Sequence, residues 1–368
     1  MLRSATVMPE RAGSAKRIAV IPGDGVGKEV IPEAVKVLKA AAAKGRRELS
    51  LTEFDWGADR FLRDGTTLPA DAVETFRREF DVILLGALGD PRVSDNRHAA
   101  DILLGLRFKL DLYANERPCV LFDPKLTPLK NRTEKEIRFW VIRENTEGLY
   151  AGMGGFFKKG TADEIATQED VNTRKGVERI IRYAFEFARR RGLRRVCMSD
   201  KSNALTYGHN LWTRVFAEVR REYADIEASH MYIDNLLLQM VRDPSQFQVI
   251  VTCNLFGDIA SDLGAGLIGG LGLAPSGNIH PGQVSLFEPV HGSAPDIAGK
   301  GIANPMGAAL AAGMMCGYLG WAAEAKLIED AVRAAIGEGK TTADLGGALS
   351  TRQVGDWLVA RVSSPLRL

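Results

Sequence analysis

Cysteine is scarce in this chain. Its 368 residues carry four, Cys119, Cys197, Cys253 and Cys316, and none stand in C-x-x-C spacing. That argues against a disulfide framework and against a structural zinc site, and it fits a reducing, cytoplasmic setting. An excess of one charge is also missing: 48 basic residues face 46 acidic ones, a formal net charge of +2. So small a surplus gives no electrostatic case for nucleic acid or a membrane surface as partner. The one dense basic cluster, Arg189 to Arg195, reads as a solvated helix end, with cations suited to the C-terminal dipole and Gly192 placed to stop the helix. No apolar run approaches the ~18 residues that cross a bilayer. Residues 1–16 are basic and rich in Ala and Ser but have no apolar stretch, so they read as a disordered lead-in and not a secretory signal. No low-complexity tract or internal repeat is visible.

What is present is an ordinary globular composition, 45% hydrophobic and 26% charged, in a chain long enough for two domains or one large α/β unit. Apolar β-branched runs at 17–21, 49–56, 81–86, 140–145, 195–201, 229–234 and 247–252 read as strands. Between many of them lie helical patterns, such as 28–43, 71–79, 99–106 and 171–191, and this alternation predicts parallel βαβ units. The first strand ends in Pro22-Gly23-Asp24-Gly25-Val26-Gly27. Its spacing is G-x-G-x-G, not the G-x-G-x-x-G of a dinucleotide loop, so its glycines are read as permitting a tight turn. The Rossmann alternative predicts that bulk at Gly25 abolishes dinucleotide binding.

The residues with chemistry sit at element ends. Asp258 and Asp262 follow the strand 247–252 at i and i+4; with a helix starting near Asp258 they share a face one turn apart. They read either as a pair for a hard divalent cation or as acids suiting a helix N-terminus. Arg107, Arg117 and Arg143 also lie at element ends, where planar guanidinium groups suit carboxylates; unrelated surface arginines remain the alternative. Lys201 and Asp234 close two strands, as part of a polar cleft or a rim salt bridge. The long irregular segment 287–305 has the length of a functional loop.

Seven stretches together resemble the β-decarboxylating dehydrogenases, the isocitrate and isopropylmalate family. They are Ile21 to Val30, Leu106-Arg107, Asp111 to Pro118, Arg143 to Tyr150, Asp200 to Asn203, Asn254 to Asp262 and Glu288 to Pro305, in family order. The resemblance implies two α/β domains sharing a large mixed sheet, with a non-Rossmann cofactor site. It places the cofactor domain at 17–112 and 270–368, and the substrate, metal and dimerisation domain at 113–269. It implies that Arg107, Arg117 and Arg143 hold substrate carboxylates. Asp234, Asp258 and Asp262 would ligate Mg²⁺ or Mn²⁺. Lys201 would take the hydroxyl proton as hydride leaves for NAD, and Tyr150 would protonate the enolate left by CO₂ loss. His291, Gly292, Ser293, Ala294, Pro295, Asp296 and Asn304 would form the cofactor loop, with Asp296 on the ribose hydroxyls, which favours NAD over NADP. Lys201 and Asp234 would enter the partner's site in a homodimer.

Within the family, Leu103 and Leu104 before Arg107 present an apolar surface suited to an isopropyl group. Asp101 stands where isocitrate enzymes place Ser and would repel a third carboxylate. This favours 3-isopropylmalate and leucine biosynthesis. Arg97 and His98 lie upstream, where a distal carboxylate would keep homoisocitrate open; isocitrate and tartrate or D-malate are further alternatives. Three residues depart from the usual pattern: Ala100 for Glu, Glu116 for Leu, and Cys253 for Asp. A catalytically silent regulatory subunit is the alternative of another class, and the intact Lys, Tyr and Asp set argues against it.

Overall fold

A computed structural model describes residues 15–364. The expected lead-in lies outside the described residues up to residue 14, and Lys16 already belongs to the first strand. The strands are β1 (Lys16–Gly23), β2 (Leu49–Glu53), β3 (Val82–Ala87), β4 (Ala114–Val120), β5 (Arg138–Glu144), β6 (Gly154–Phe157), β7 (Ile165–Gln168), β8 (Arg195–Asp200), β9 (Glu227–Tyr232), β10 (Val249–Thr252), β11 (Pro275–Ile279) and β12 (Ser285–Pro289). The α-helices are α1 (Gly27–Lys44), α2 (Ala58–Asp64), α3 (Ala72–Glu79), α4 (Arg97–Lys109), α5 (Arg174–Arg190), α6 (Gly208–Val219), α7 (Ile233–Arg242), α8 (Asn254–Leu267), α9 (Met306–Tyr318), α10 (Ala322–Gly337) and α11 (Thr351–Ser363). The chain forms two compact units. The first holds residues up to Leu112, Leu121–Glu134 and Ala265 onward; the second holds Tyr113–Val120 and Lys135–Gly264. The segment 121–134 therefore sits with the first unit, and the later boundary falls inside α8.

In the first unit the strands run β2-β1-β3-β12-β11, parallel except where β11 meets β12. Every residue of β3 is buried, as its unbroken Val-Ile-Leu-Leu run requires of a strand covered on both faces. One core cluster joins Ile83, Leu85 and Leu286 from the sheet to Phe76, Ile102 and Leu106 from α3 and α4. Helix α9 is apolar all round and almost wholly buried; its Gly and Ala residues allow the close approach that an all-buried helix needs.

In the second unit the order is β4-β5-β10-β8-β9, parallel from β5 onward and antiparallel between β4 and β5. Parallel strands send their C-terminal ends to one edge, the edge where α/β sheets place ligands. Arg143, Asn254, Lys201 and Asp234 all lie at or just past such ends. The hairpin β6–β7 was not anticipated. Its eight residues are exposed, so no burial pattern announces it, and Phe156, Phe157 and Ile165 stand open. No helix among the described residues is long and apolar enough to cross a membrane.

Candidate functional site

Strand register brings the second unit's arginines together. Arg117 on β4 pairs with Val141 on β5, so its side chain shares a face with Arg143 two residues on. Helix α8 starts at Asn254, four residues earlier than the acids suggested, and has no acidic residue in its first turn. Asp258 and Asp262 thus lie beyond the first turn, and the helix-start explanation for them fails. Gly257 lets α8 lie against Arg143, since a Cβ there would come within 2.6 Å of the arginine Cβ and Cγ.

At this contact Asp258 Oδ1 accepts from Arg143 Nη1 at 2.5 Å and Arg117 Nη1 at 3.0 Å, and its Oδ2 accepts from the Tyr150 hydroxyl at 2.9 Å. Arg143 is buried; Asn254 Oδ1 accepts from its Nε and Nη2 at 2.9 and 2.7 Å. Arg117 also donates to Ser261 Oγ at 2.7 Å and lies 3.7 Å from Asp262. Burial and the neighbouring Asp258 raise the Asp262 carboxyl above the ordinary Asp value despite Arg117. A carboxylate held up in this way is one that a hard divalent cation between the two acids would stabilise. Asp234 does not join the pair: among the described residues no group of three or more Asp, Glu, His or Cys could hold a metal within one chain.

Instead Asp234, at the start of α7, accepts from Lys201 Nζ at 2.5 Å, and this hydrogen bond holds its carboxyl below the usual range. The Lys201 backbone N–H donates to His209 Nδ1 at 2.9 Å, and His209 Nε2 lies 3.6 Å from Asp170. Burial lowers the His209 pKa, and an imidazole that accepts at Nδ1 is neutral there. The path from β5 to Tyr150 turns on Glu144, whose carboxylate accepts from the backbone of Thr146 and Glu147. Glu116, at a position where the resemblance expects Leu, accepts from the buried Tyr183 hydroxyl at 2.5 Å, so the departure is matched by a partner. Cys253 is buried, and burial pushes its thiol up to about 12.

The first unit carries the other candidates. Arg107 is buried and donates to Glu288 Oε1 at 2.8 Å, which also accepts from Asn278 Nδ2 at 2.8 Å. Leu103 packs on the core cluster, while Leu104 is half-buried. Asp101 is exposed and accepts from Thr67 Oγ1 at 2.9 Å. His98 is not open to a distal carboxylate. His98 is fully buried with Nε2 2.9 Å from Asp24, and Arg97 pairs with Asp95 at 2.6 Å. Helix periodicity explains the error: position 98 turns inward with Ile102 and Leu106.

The segment His291 to Asn304 follows β12. His291 Nε2 is buried with no hydrogen-bond partner, and burial lowers the His291 pKa. Ser293 and Asn304 are buried, whereas Gly292, Pro295 and Asp296 are exposed, with Ala294 intermediate. An orphaned ring nitrogen and, five residues on, an open carboxylate are groups that suit a nucleotide's base and ribose. Sequence reading assigned no role to Asn254, Ser261, Glu288 or His209. Asn254, Ser261 and Glu288 fall within the stretches that carry the family resemblance, while His209, inside α6, had no signal in the sequence.

The chain matches the family model described as isocitrate/isopropylmalate dehydrogenase over residues 17–358. It is 48% identical over 349 residues to a 3-isopropylmalate dehydrogenase from Thermobifida fusca, covering 94% of this chain and 98% of that relative. A 3-isopropylmalate dehydrogenase from Streptomyces coelicolor is 46% identical with the same coverage. Among solved structures, isocitrate dehydrogenase from Methylococcus capsulatus aligns with a TM-score of 0.86 at 40% identity, over 95% of this chain and all of that one. The TT0538 protein from Thermus thermophilus aligns with a TM-score of 0.87 at 38% identity, over all of this chain and 72% of that one.

Proposed function

This chain belongs to the isocitrate/isopropylmalate dehydrogenase family, and on that premise we propose that it oxidises and decarboxylates 3-isopropylmalate with NAD and Mg²⁺ or Mn²⁺, as a cytoplasmic homodimer in leucine biosynthesis. The observation that carries this reading is the convergence of Arg117, Arg143 and Tyr150 on Asp258, beside Asp262. There two guanidinium groups meet two carboxylates, so this cluster has no net cationic surplus. A substrate with two carboxylates therefore needs further positive charge, which a divalent cation would supply, since Arg107 already faces the Glu288 carboxylate.

Asp258 and Asp262, with the partner subunit's Asp234, would hold that cation, whose chemistry is Lewis-acid stabilisation of developing oxyanion charge. Arg107, Arg117 and Arg143 bind and orient the carboxylates bidentately. The partner subunit's Lys201 would take the proton of the substrate hydroxyl, and the nicotinamide, when bound, would supply the hydride acceptor. Tyr150 returns a proton to the carbon that loses CO₂, and its hydrogen bond to Asp258 fixes where its hydroxyl points. His291 to Pro295 and Asn304 seat the adenosine, and Asp296 accepts from the ribose hydroxyls.

Asp101 and Leu104 support a substrate with an apolar side group in place of a third carboxylate: that carboxylate would face an anion on α4, and an isopropyl group would meet a leucine. Isocitrate is the second reading, favoured by the 40% identity to a structure described as isocitrate dehydrogenase. The names of the relatives at 46–48% identity favour 3-isopropylmalate. A panel assay following NADH with Mg²⁺ and 3-isopropylmalate, isocitrate, homoisocitrate, D-malate and tartrate decides. The highest kcat/KM is expected for 3-isopropylmalate, and clearly faster turnover of isocitrate would sink the choice.

A further inference from the structure

The glycine turn that opens α1 does not have dinucleotide-loop spacing, yet it touches the candidate cofactor loop directly. Val26 N–H donates to the Ser293 carbonyl at 2.9 Å. Gly25 has φ +50°, and a Cβ there would lie 2.0 Å from the Ser293 oxygen. In the first turn of the helix, the half-buried Glu29 reaches across 270 residues of sequence. Its Oε1 accepts from Gly299 N–H at 2.6 Å and its Oε2 from Gly301 N–H at 2.8 Å. Both glycines have positive φ, 78° and 65°, and both follow Asp296 within five residues. The far side is fastened by α11, where Thr351 N–H donates to the Gly301 carbonyl at 2.8 Å and Thr351 Oγ1 to the Ala303 carbonyl at 2.6 Å.

The carboxylate thus binds a backbone turn as it would bind a ligand, one oxygen to each N–H. Charge-assisted hydrogen bonds of this kind are short and directional. They fix a loop that lacks regular structure and otherwise carries its own ordering cost when a cofactor binds. Asp24 anchors the base of the glycine turn: its oxygens accept from Ala58 N–H at 2.7 Å and Gly89 N–H at 2.9 Å, and His98 lies 2.9 Å away.

We propose that Glu29 is a positioning residue for the dinucleotide site, holding the Asp296–Gly301 turn in its binding-competent shape through the Gly299 and Gly301 amides. This rests on the reading of His291 to Asn304 as the cofactor loop. Glu29 touches no reacting atom, so its loss acts on NAD affinity and leaves the chemical step alone. Bulk at Gly25 would likewise weaken NAD binding by displacing Ser293, and so cannot tell a phosphate loop from a loop seat.

The test uses calorimetric titration of NAD⁺ and NADH into the full-length protein, together with steady-state kinetics, for wild type, Glu29→Ala, Glu29→Gln and Asp296→Ala. The amide side chain of Glu29→Gln offers one acceptor in place of two and keeps the volume, which preserves the test if the alanine variant does not fold. Expected for Glu29→Ala is about a tenfold rise in both Kd and KM for the dinucleotide. Its kcat and KM for the hydroxy acid should stay within about twofold of wild type, as only cofactor affinity is touched. Glu29→Gln should fall between. If Asp296→Ala weakens dinucleotide binding while neither Glu29 variant does, the loop reading stands and the role of Glu29 is refuted. If none of the three weakens binding, the loop reading fails and the proposal fails with it.

Discussion

Asp258 receives hydrogen bonds from two neighbouring antiparallel strands and from the loop beyond them, through Arg117, Arg143 and Tyr150. One carboxylate thus sets the positions of three candidate substrate-handling groups. Removing only its charge separates structure from chemistry. In Asp258→Asn one acceptor oxygen survives for the arginines, and Asn254 still engages Arg143. A cost of about 1–3 kcal/mol in stability is expected, visible as a shift in urea midpoint with a cooperative transition retained. Metal-dependent turnover should fall about 100-fold or more, and Mn²⁺ binding followed by electron paramagnetic resonance should weaken in step. Unchanged Mn²⁺ affinity would refute the metal assignment.

Elements carry the next level of control. Helix α8 delivers its acids to the right place because Gly257 lets it lie on the Arg143 stem. Gly257→Ala forces the arginine aside. Overpacking of about 1–3 kcal/mol is expected, with KM for the hydroxy acid rising more than KM for NAD. Equal effects on both constants would mean that the helix moved as a whole and that Arg143 was not its particular contact.

The turn from β8 into α6 has a pH signature of its own. Burial lowers the His209 pKa, so the folded form binds fewer protons than the unfolded chain, whose histidine titrates near 6.5. Stability from this group is complete above the unfolded value and is lost as pH falls below it, down to the lowered folded pKa. The slope is at most one proton's worth, about 1.4 kcal/mol per pH unit. His209→Asn keeps an acceptor for the Lys201 N–H but has no titration. Urea melts at pH 5, 6 and 7 should show a smaller loss of stability on acidification in the variant than in wild type; parallel curves would remove His209 from the account.

At the scale of the whole molecule, the proposed homodimer would decide whether a site is complete. Phe156, Phe157 and Ile165 on the β6–β7 hairpin, and Leu238 and Val241 on α7, are exposed apolar side chains, the kind a second subunit covers. Lys201 and Asp234 bond each other at the edge of one subunit, apart from the Asp258 cluster of that subunit as a metal set. If each site draws these two from the partner, inactive Lys201→Met and Asp258→Asn proteins complement one another. After unfolding together and refolding, heterodimers hold one intact site, and about a quarter of wild-type activity should return under random pairing. No recovery, with heterodimers present by native mass spectrometry, would place Lys201 in its own subunit's site.

Much of this was readable along the chain, and for a common reason. Strand–helix alternation, the Asp258/Asp262 spacing and the strand-end positions of Arg143 and Lys201 are local patterns, fixed by periodicities of two and 3.6 residues. The family motifs are local too, which is why their order alone identified the chain's kind. What tertiary structure decided involves residues far apart in sequence. The β6–β7 hairpin has no buried face to betray it. His98 looked available for a substrate until its helix face and Asp24 took it inside. The start of α8, four residues before the acids, ended the helix-dipole explanation because the first turn holds none of them. Glu29 and Gly299 are separated by 270 residues, and only the folding of α1 against the loop made them partners. Sequence determined which chemistry the chain carries, since chemistry resides in side chains and short motifs; only the tertiary structure decided which groups meet, because burial and long-range hydrogen bonding are properties of the packed whole.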